Sequence, residues 1–194
     1  PWRTKHPNSD LCNDLMQTLE PVAGVVRIAV AHGQVDKLSP DPTRPEVIEL
    51  AGVEQAIKDK KLHYLGLGDR HSVTDVGNTG RVWYSGAPVA TAFDEVDANQ
   101  ALLVEIDTSD TCVVERLRVG TWSFVAAQRA LNGPDDLVGF EKWLSDMSNK
   151  ECTAVKVGFE GSINLATAAA LDGLMETKAE LFASLNRRER TTDL

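Results

Sequence analysis

The chain has 194 residues, with 20 Lys and Arg against 29 Asp and Glu, so its formal net charge is −9, and 42% of its residues are hydrophobic. This composition suits one or two folded domains and excludes a disordered acidic tail, because the charges are spread along the chain. A pI near 4.9 argues against a free-standing nucleic-acid binder with a basic surface, but it allows an enzyme that holds nucleic acid through metal ions and a partner.

The compartment is predicted from features that the sequence lacks. No apolar run approaches the roughly 20 residues of a membrane-spanning helix, and the first residues contain no apolar signal core. Cys12, Cys112 and Cys152 are too far apart for a Cys-x-x-Cys pair, so we expect buried thiols. We therefore expect a cytoplasmic protein without a membrane partner. Because the chain starts at Pro1 without an initiator Met, we also expect it to be a piece of a longer protein.

The first predicted elements are a helix and a βαβ unit. Asn8 and Ser9 can cap a helix that ends at Pro21. Its predicted buried face consists of leucines spaced four apart, Leu11, Leu15 and Leu19. A nearly continuous apolar run over 25–31 predicts a strand buried on both faces. A helix over 46–61 and a strand over 62–67 complete the unit, so its two strands should be parallel.

The next segments predict the end of one domain and the start of another. Strands are expected over 81–85 and 100–106, and the polar turn at 107–110 marks a domain boundary. Beyond it, strands over 112–119, 122–127 and 153–160 alternate with a helix from about 132 to 149 and a long helix from 164 to 187. The fold class is therefore α/β, with one domain over 1–110 and a small α/β domain over 111–194.

A candidate metal site follows from the positions of two histidines and an aspartate. His32 comes directly after one predicted parallel strand, and Asp69 and His71 come just after the other. Ligands bind at the carboxyl ends of such strands, and imidazole with carboxylate suits Mn, Fe or Zn. The alternative is structural, with Asp69 capping a turn and His71 bonded to a carbonyl. We expect no functional role for His63, inside a strand, or His6, in a loop flanked by proline.

Four short segments give the chain a resemblance to a known family. They are AHG at 31–33, YLGLGDRHS at 64–72, RVWYSGAP at 81–88 and FDE at 93–95. In order and spacing they resemble the SbcD-type DNA repair exonucleases of the calcineurin-like metallophosphoesterase superfamily. The resemblance implies that residues 1–110 form the later half of the phosphoesterase sandwich and residues 111–194 the capping domain, which helps to place DNA.

The resemblance also implies a ligand set. The family hydrolyses phosphodiester bonds at a centre of two ions of the Mn type, for which His32 and His71 would be ligands. Asp69 occupies the place where the family usually has a histidine, and its oxygen is a harder ligand that changes metal preference. The family's earlier motifs, Asp-x-His, Gly-Asp and Gly-Asn-His-Asp/Glu, have no counterpart in this sequence. The resemblance assigns no catalytic residue besides the metal ligands, and the residues that bind nucleic acid are unknown.

The function predicted first is that of a fragment of a metal-dependent DNA exonuclease or endonuclease subunit, inactive on its own. The partner that the resemblance implies is an SbcC-type coiled-coil ATPase, although the family's main docking segment follows the capping domain. The alternatives are a non-catalytic binding or regulatory module that kept the fold, and, less favoured, a phosphoesterase acting on a small substrate. Without the earlier half of the sandwich, a strand edge stays unpaired, so we expect the chain either to self-associate through residues 22–31 or to be loosely ordered there, while residues 111–190 stay compact.

Overall fold

The computed structural model describes residues 9–188 and has a mixed α/β fold, as the sequence predicts. The chain divides into two compact units. Unit 1 extends to Val89 and includes Glu95–Gly120, and unit 2 comprises Ala90–Asp94 and the chain from Thr121 onward. In the described part of the chain, no helix is long and apolar enough to cross a membrane.

The first helix, α1 (Leu11–Gln17), differs from its prediction in its cap, in its buried face and in its end, which comes before Pro21. Asp10 is the N-cap, and its carboxylate accepts the backbone N–H groups of Cys12 and Asn13 at 3.1 Å each. Met16 is buried, whereas Leu15 is 60% exposed. The predicted leucine face is wrong, because α1 packs on α2 through the side occupied by Met16. Of the two predicted caps, Asn8 lies outside the described residues.

The βαβ prediction is confirmed. Strand β1 (Ile28–His32) and strand β2 (Tyr64–Gly68) are parallel neighbours, joined through helix α2 (Leu50–Lys58). Two further short strands, β3 (Thr74–Asp75) and β4 (Val82–Tyr84), complete a four-stranded sheet in the order β1-β2-β4-β3. The helices and the sheet enclose one hydrophobic core.

Strand β1 is exposed on one face, contrary to the prediction that both faces are buried. Ala29 and Ala31 pack against the core, whereas Ile28 is 61% and Val30 87% exposed. The reason is position: β1 is the edge strand of the sheet, and the helices of unit 1 cover the other face.

The remaining strands of unit 1 form an antiparallel pair. Strand β5 (Gln100–Ile106) pairs along its whole length with strand β6 (Cys112–Arg118). The Arg116 guanidinium lies 5.3 Å from the Trp83 ring centre, which connects the pair to β4. The division between units therefore falls after Gly120 and not at 110/111, because β6 is bonded to β5.

Unit 2 is a three-stranded parallel sheet with two helices. Its strands are β7 (Ser123–Ala130), β8 (Thr153–Glu160) and β9 (Ser184–Arg187), in that order. The helices are α3 (Pro134–Asp146) and α4 (Leu165–Ala179), and a 3-10 turn, Lys150–Cys152, precedes β8. The predicted helix over 164–187 is wrong at its end, because the chain turns after Ala179 and β9 pairs with β8.

Candidate metal-binding site

The register of β1 and β2 brings two of the predicted site residues to one edge of the sheet. The strands are in parallel register over five residue pairs, from Ile28 opposite Tyr64 to His32 opposite Gly68. Both strands end there, so the next residue of β2, Asp69, lies beside the His32 ring. This is the carboxyl edge at which α/β sheets bind ligands.

His32 and Asp69 form an accessible pair. His32 Nε2 lies 3.7 Å from Asp69 Oδ1, and the side chains are 70% and 34% exposed. This distance is too long for a direct hydrogen bond. Two ligand atoms bound to one ion at about 2.1 Å lie roughly 3 to 3.5 Å apart. A small side-chain movement would therefore let both atoms contact one cation.

The backbone around this pair is specialised. A Cβ added to Gly68 would lie only 2.8 Å from His32 Nδ1, so the absence of a side chain at position 68 lets the imidazole pack on the strand end. Asp69 has a φ of 103°, which residues other than glycine rarely adopt. Such local strain clusters at active sites and ligand-binding positions.

A buried tyrosine holds the loop that follows His32. The Tyr84 hydroxyl donates to the Gly33 carbonyl at 2.8 Å and accepts the Val35 N–H at 3.0 Å. Tyr84 and Val35 are both 0% exposed. Burial raises the pKa of the Tyr84 hydroxyl, so it stays protonated at neutral pH and can donate. β4 thereby fixes the chain directly after the candidate ligand.

His71 is held by a different carboxylate. Its Nδ1 lies 2.5 Å from Glu95 Oε1; the Glu95 side chain is 6% exposed and that of His71 is 60% exposed. The His71 carbonyl accepts the Ala87 N–H at 2.8 Å, and a Cβ on Gly86 would lie 2.8 Å from the Val73 nitrogen. The loop after β2 is thus packed against the turn after β4.

The three predicted ligands therefore occur as two pairs, His32 with Asp69 and His71 with Glu95. Within residues 9–188, no group of three or more His, Cys, Asp and Glu side chains is arranged to hold a metal ion. His32 and Asp69 fit two positions of a metal site, and they do not fit a complete catalytic centre, which needs at least three protein ligands. The three-ligand site stays a prediction.

Sequence reasoning missed the roles of Glu95 and Tyr84. Glu95 is 24 positions from His71, and no spacing rule connects such residues. His63 directly precedes β2 and does not lie inside a strand, contrary to its prediction. It is 9% exposed, and its Nδ1 accepts the Arg27 N–H at 3.0 Å. His6 lies outside the described residues.

No family model matches this chain, and no curated protein sequence matches it either.

Proposed function

We propose that this chain contributes the later half of a calcineurin-like metallophosphoesterase domain, with its capping domain, to a DNA repair exonuclease or endonuclease of the SbcD type. The observation that carries the proposal is the His32–Asp69 pair, with 3.7 Å between Nε2 and Oδ1, at the carboxyl ends of neighbouring parallel strands. Both residues belong to the segments that resemble this family.

The roles of the residues follow from their contacts. His32 and Asp69 would hold the ion, with one nitrogen and one oxygen ligand, and Mn suits such a pair. When bound, a divalent ion binds phosphate oxygens and lowers the pKa of the water that attacks phosphorus. Gly68 leaves room for the His32 ring, and Tyr84 fixes the backbone that follows His32. Glu95 orients the His71 ring, as carboxylates do for metal-ligating histidines.

Manganese binding by the isolated chain tests the proposal. Free Mn is measured by electron paramagnetic resonance during titration, and we expect weak binding that His32→Ala and Asp69→Asn each abolish. Glu115→Gln, which removes an exposed charge on β6, is the control and should bind as the parent chain does. Unchanged binding in both site variants would show that the pair is not a metal site.

Nuclease activity gives a second measurement. The isolated chain should not cleave DNA with Mn, because two ligands do not position an ion and its water. Robust cleavage that His71→Ala abolishes would contradict the predicted inactivity of the fragment, and this control excludes a contaminating nuclease.

A second candidate is a non-catalytic binding module that kept the fold. Asp69 in place of the family's usual histidine, and the formal net charge of −9, favour it. The two candidates are distinguished by the activity of a longer chain, in which upstream sequence with the Asp-x-His and Gly-Asn-His motifs precedes residue 1. A nuclease subunit then gains Mn-dependent activity that His32→Ala removes, whereas a module stays inactive.

A further inference from the structure

The sheet of unit 2 has one face that its helices do not cover. Val155 and Val157 of β8 pack in a core with residues of α3 and α4. Side chains alternate along a strand, so Ala154 and Lys156 point to the opposite face. The register places Phe124 of β7 beside Ala154, and Asn186 of β9 beside Lys156, on this same face.

A groove of about 840 Å³ lies on this open face. Three of its lining residues have small side chains: Ala154, Ala183 and Ser184. Aromatic rings form its wall: Phe93 contacts Phe124 edge to face with 5.2 Å between the ring centres, and Trp122 is 40% exposed. The volume lies within the roughly 300–1,000 Å³ of small-molecule sites.

The groove is cationic although the chain is acidic. Lys156 and Arg188 are exposed lining residues, and Lys156 Nζ lies 5.9 Å from the Phe93 ring centre. Arg187 also lines the groove, but its guanidinium is bound to Asp172 of α4. None of the described residues that line the groove is Asp or Glu. Of the ten Asp and Glu residues of unit 2 that the structure describes, six belong to α3 and α4, which pack on the other face.

We propose that this groove binds a nucleoside phosphate, either free or within a single strand, with the base against the aromatic wall and the phosphate between Lys156 and Arg188. Rings that stack on bases, combined with cations that hold phosphates, are how proteins bind single strands without sequence preference. The carboxylates of an acidic peptide would satisfy the cations, but they offer no flat ring to the aromatic wall. The site uses residues of unit 2 alone, so it is independent of the His32–Asp69 pair.

Fluorescence anisotropy of a labelled oligothymidylate of about eight nucleotides tests the site on the full 194-residue chain. The double variant Lys156→Ala/Arg188→Ala should weaken binding roughly tenfold and lower the salt dependence of log K by about 1.4, for two phosphate contacts. Trp122→Ala should weaken binding at least about fivefold, as the loss of one stacked base does, without changing that slope. The single variant Lys156→Arg keeps the positive charge and should bind the oligonucleotide as the parent chain does.

The control is Lys142→Ala on α3, which removes an exposed cation from the helical face and should leave affinity within about twofold. Competition with adenosine monophosphate identifies the source of the ligand. If adenosine monophosphate displaces the labelled oligonucleotide, the groove binds free nucleotides; if it does not, the groove binds a single strand. The proposal is overturned if neither probe binds, if Lys142→Ala weakens binding as much as the double variant does, or if polyglutamate competes as well as the oligonucleotide.

Discussion

Replacing Tyr84 with Phe removes one oxygen atom and two hydrogen bonds, one buried and one partly buried, next to the candidate site. The hydroxyl bridges the Gly33 carbonyl and the Val35 N–H at 2.8 and 3.0 Å, and both Tyr84 and Val35 are 0% exposed. Water cannot easily replace the lost partner, so the buried Val35 N–H carries a desolvation cost. Leaving such a group unsatisfied costs about 1–3 kcal/mol, and we expect Tyr84→Phe to lower the free energy of unfolding by about 2 kcal/mol.

The chain contains its own control, because it has only two tyrosines. Tyr64 lies on the neighbouring strand β2 and is 6% exposed, and within the described residues its hydroxyl makes no hydrogen bond. Tyr64→Phe therefore removes the same atom without leaving a backbone group unpaired. We expect the free energy of unfolding to change by less than about 0.5 kcal/mol.

Urea unfolding followed by tryptophan fluorescence measures both variants, with the slope against denaturant compared to verify two-state behaviour. Tyr84→Phe should also weaken Mn binding, because the loop after His32 loses its attachment to β4. If the two substitutions lower the free energy of unfolding equally, the bridging hydrogen bonds of Tyr84 are not the cause of the loss, and the reasoning is refuted.

Four further results are expected. Burial raises the pKa of Tyr64 from 10.0 to about 12, so the unfolded chain ionises first and the free energy of unfolding falls as the pH rises from 10 to 12. Tyr64→Phe should flatten that part of a stability profile. Burial, and then Asp10, raises the pKa of the Cys12 thiol to about 11, so it should react with thiol reagents more slowly at pH 8 than a free thiol does. Asp69→Gly relieves the strain of a φ of 103°, so it should raise the free energy of unfolding by about 1 kcal/mol. The same substitution should abolish Mn binding. Equilibrium unfolding and Mn titration measure the two effects. Val30→Lys should reduce self-association measured by light scattering, since Val30 is 87% exposed on an edge strand; a parent chain that is monomeric at high concentration would contradict this.

Local sequence patterns determined most of the regular elements of this protein. The alternating residues over 153–160 predict β8 with the ends that the structure has, and Asn164 caps α4 through a bond of 2.8 Å to the Thr167 N–H. The apolar run before His32 and the one before Asp69 predict the parallel pair β1 and β2. These features depend on side-chain periodicity and capping, which act over a few residues.

The tertiary structure decided which surfaces are covered and which distant residues meet. The continuous apolar sequence of β1 suits a strand buried on both faces, yet β1 is an edge strand and Val30 is exposed. Residues 184–187 continue a helical pattern in sequence, but pairing with β8 makes them a strand. Glu95 reaches His71 across 24 positions because the turn after β4 packs on the loop after β2. Burial and long-range pairing depend on how the elements pack, and no local pattern encodes that arrangement.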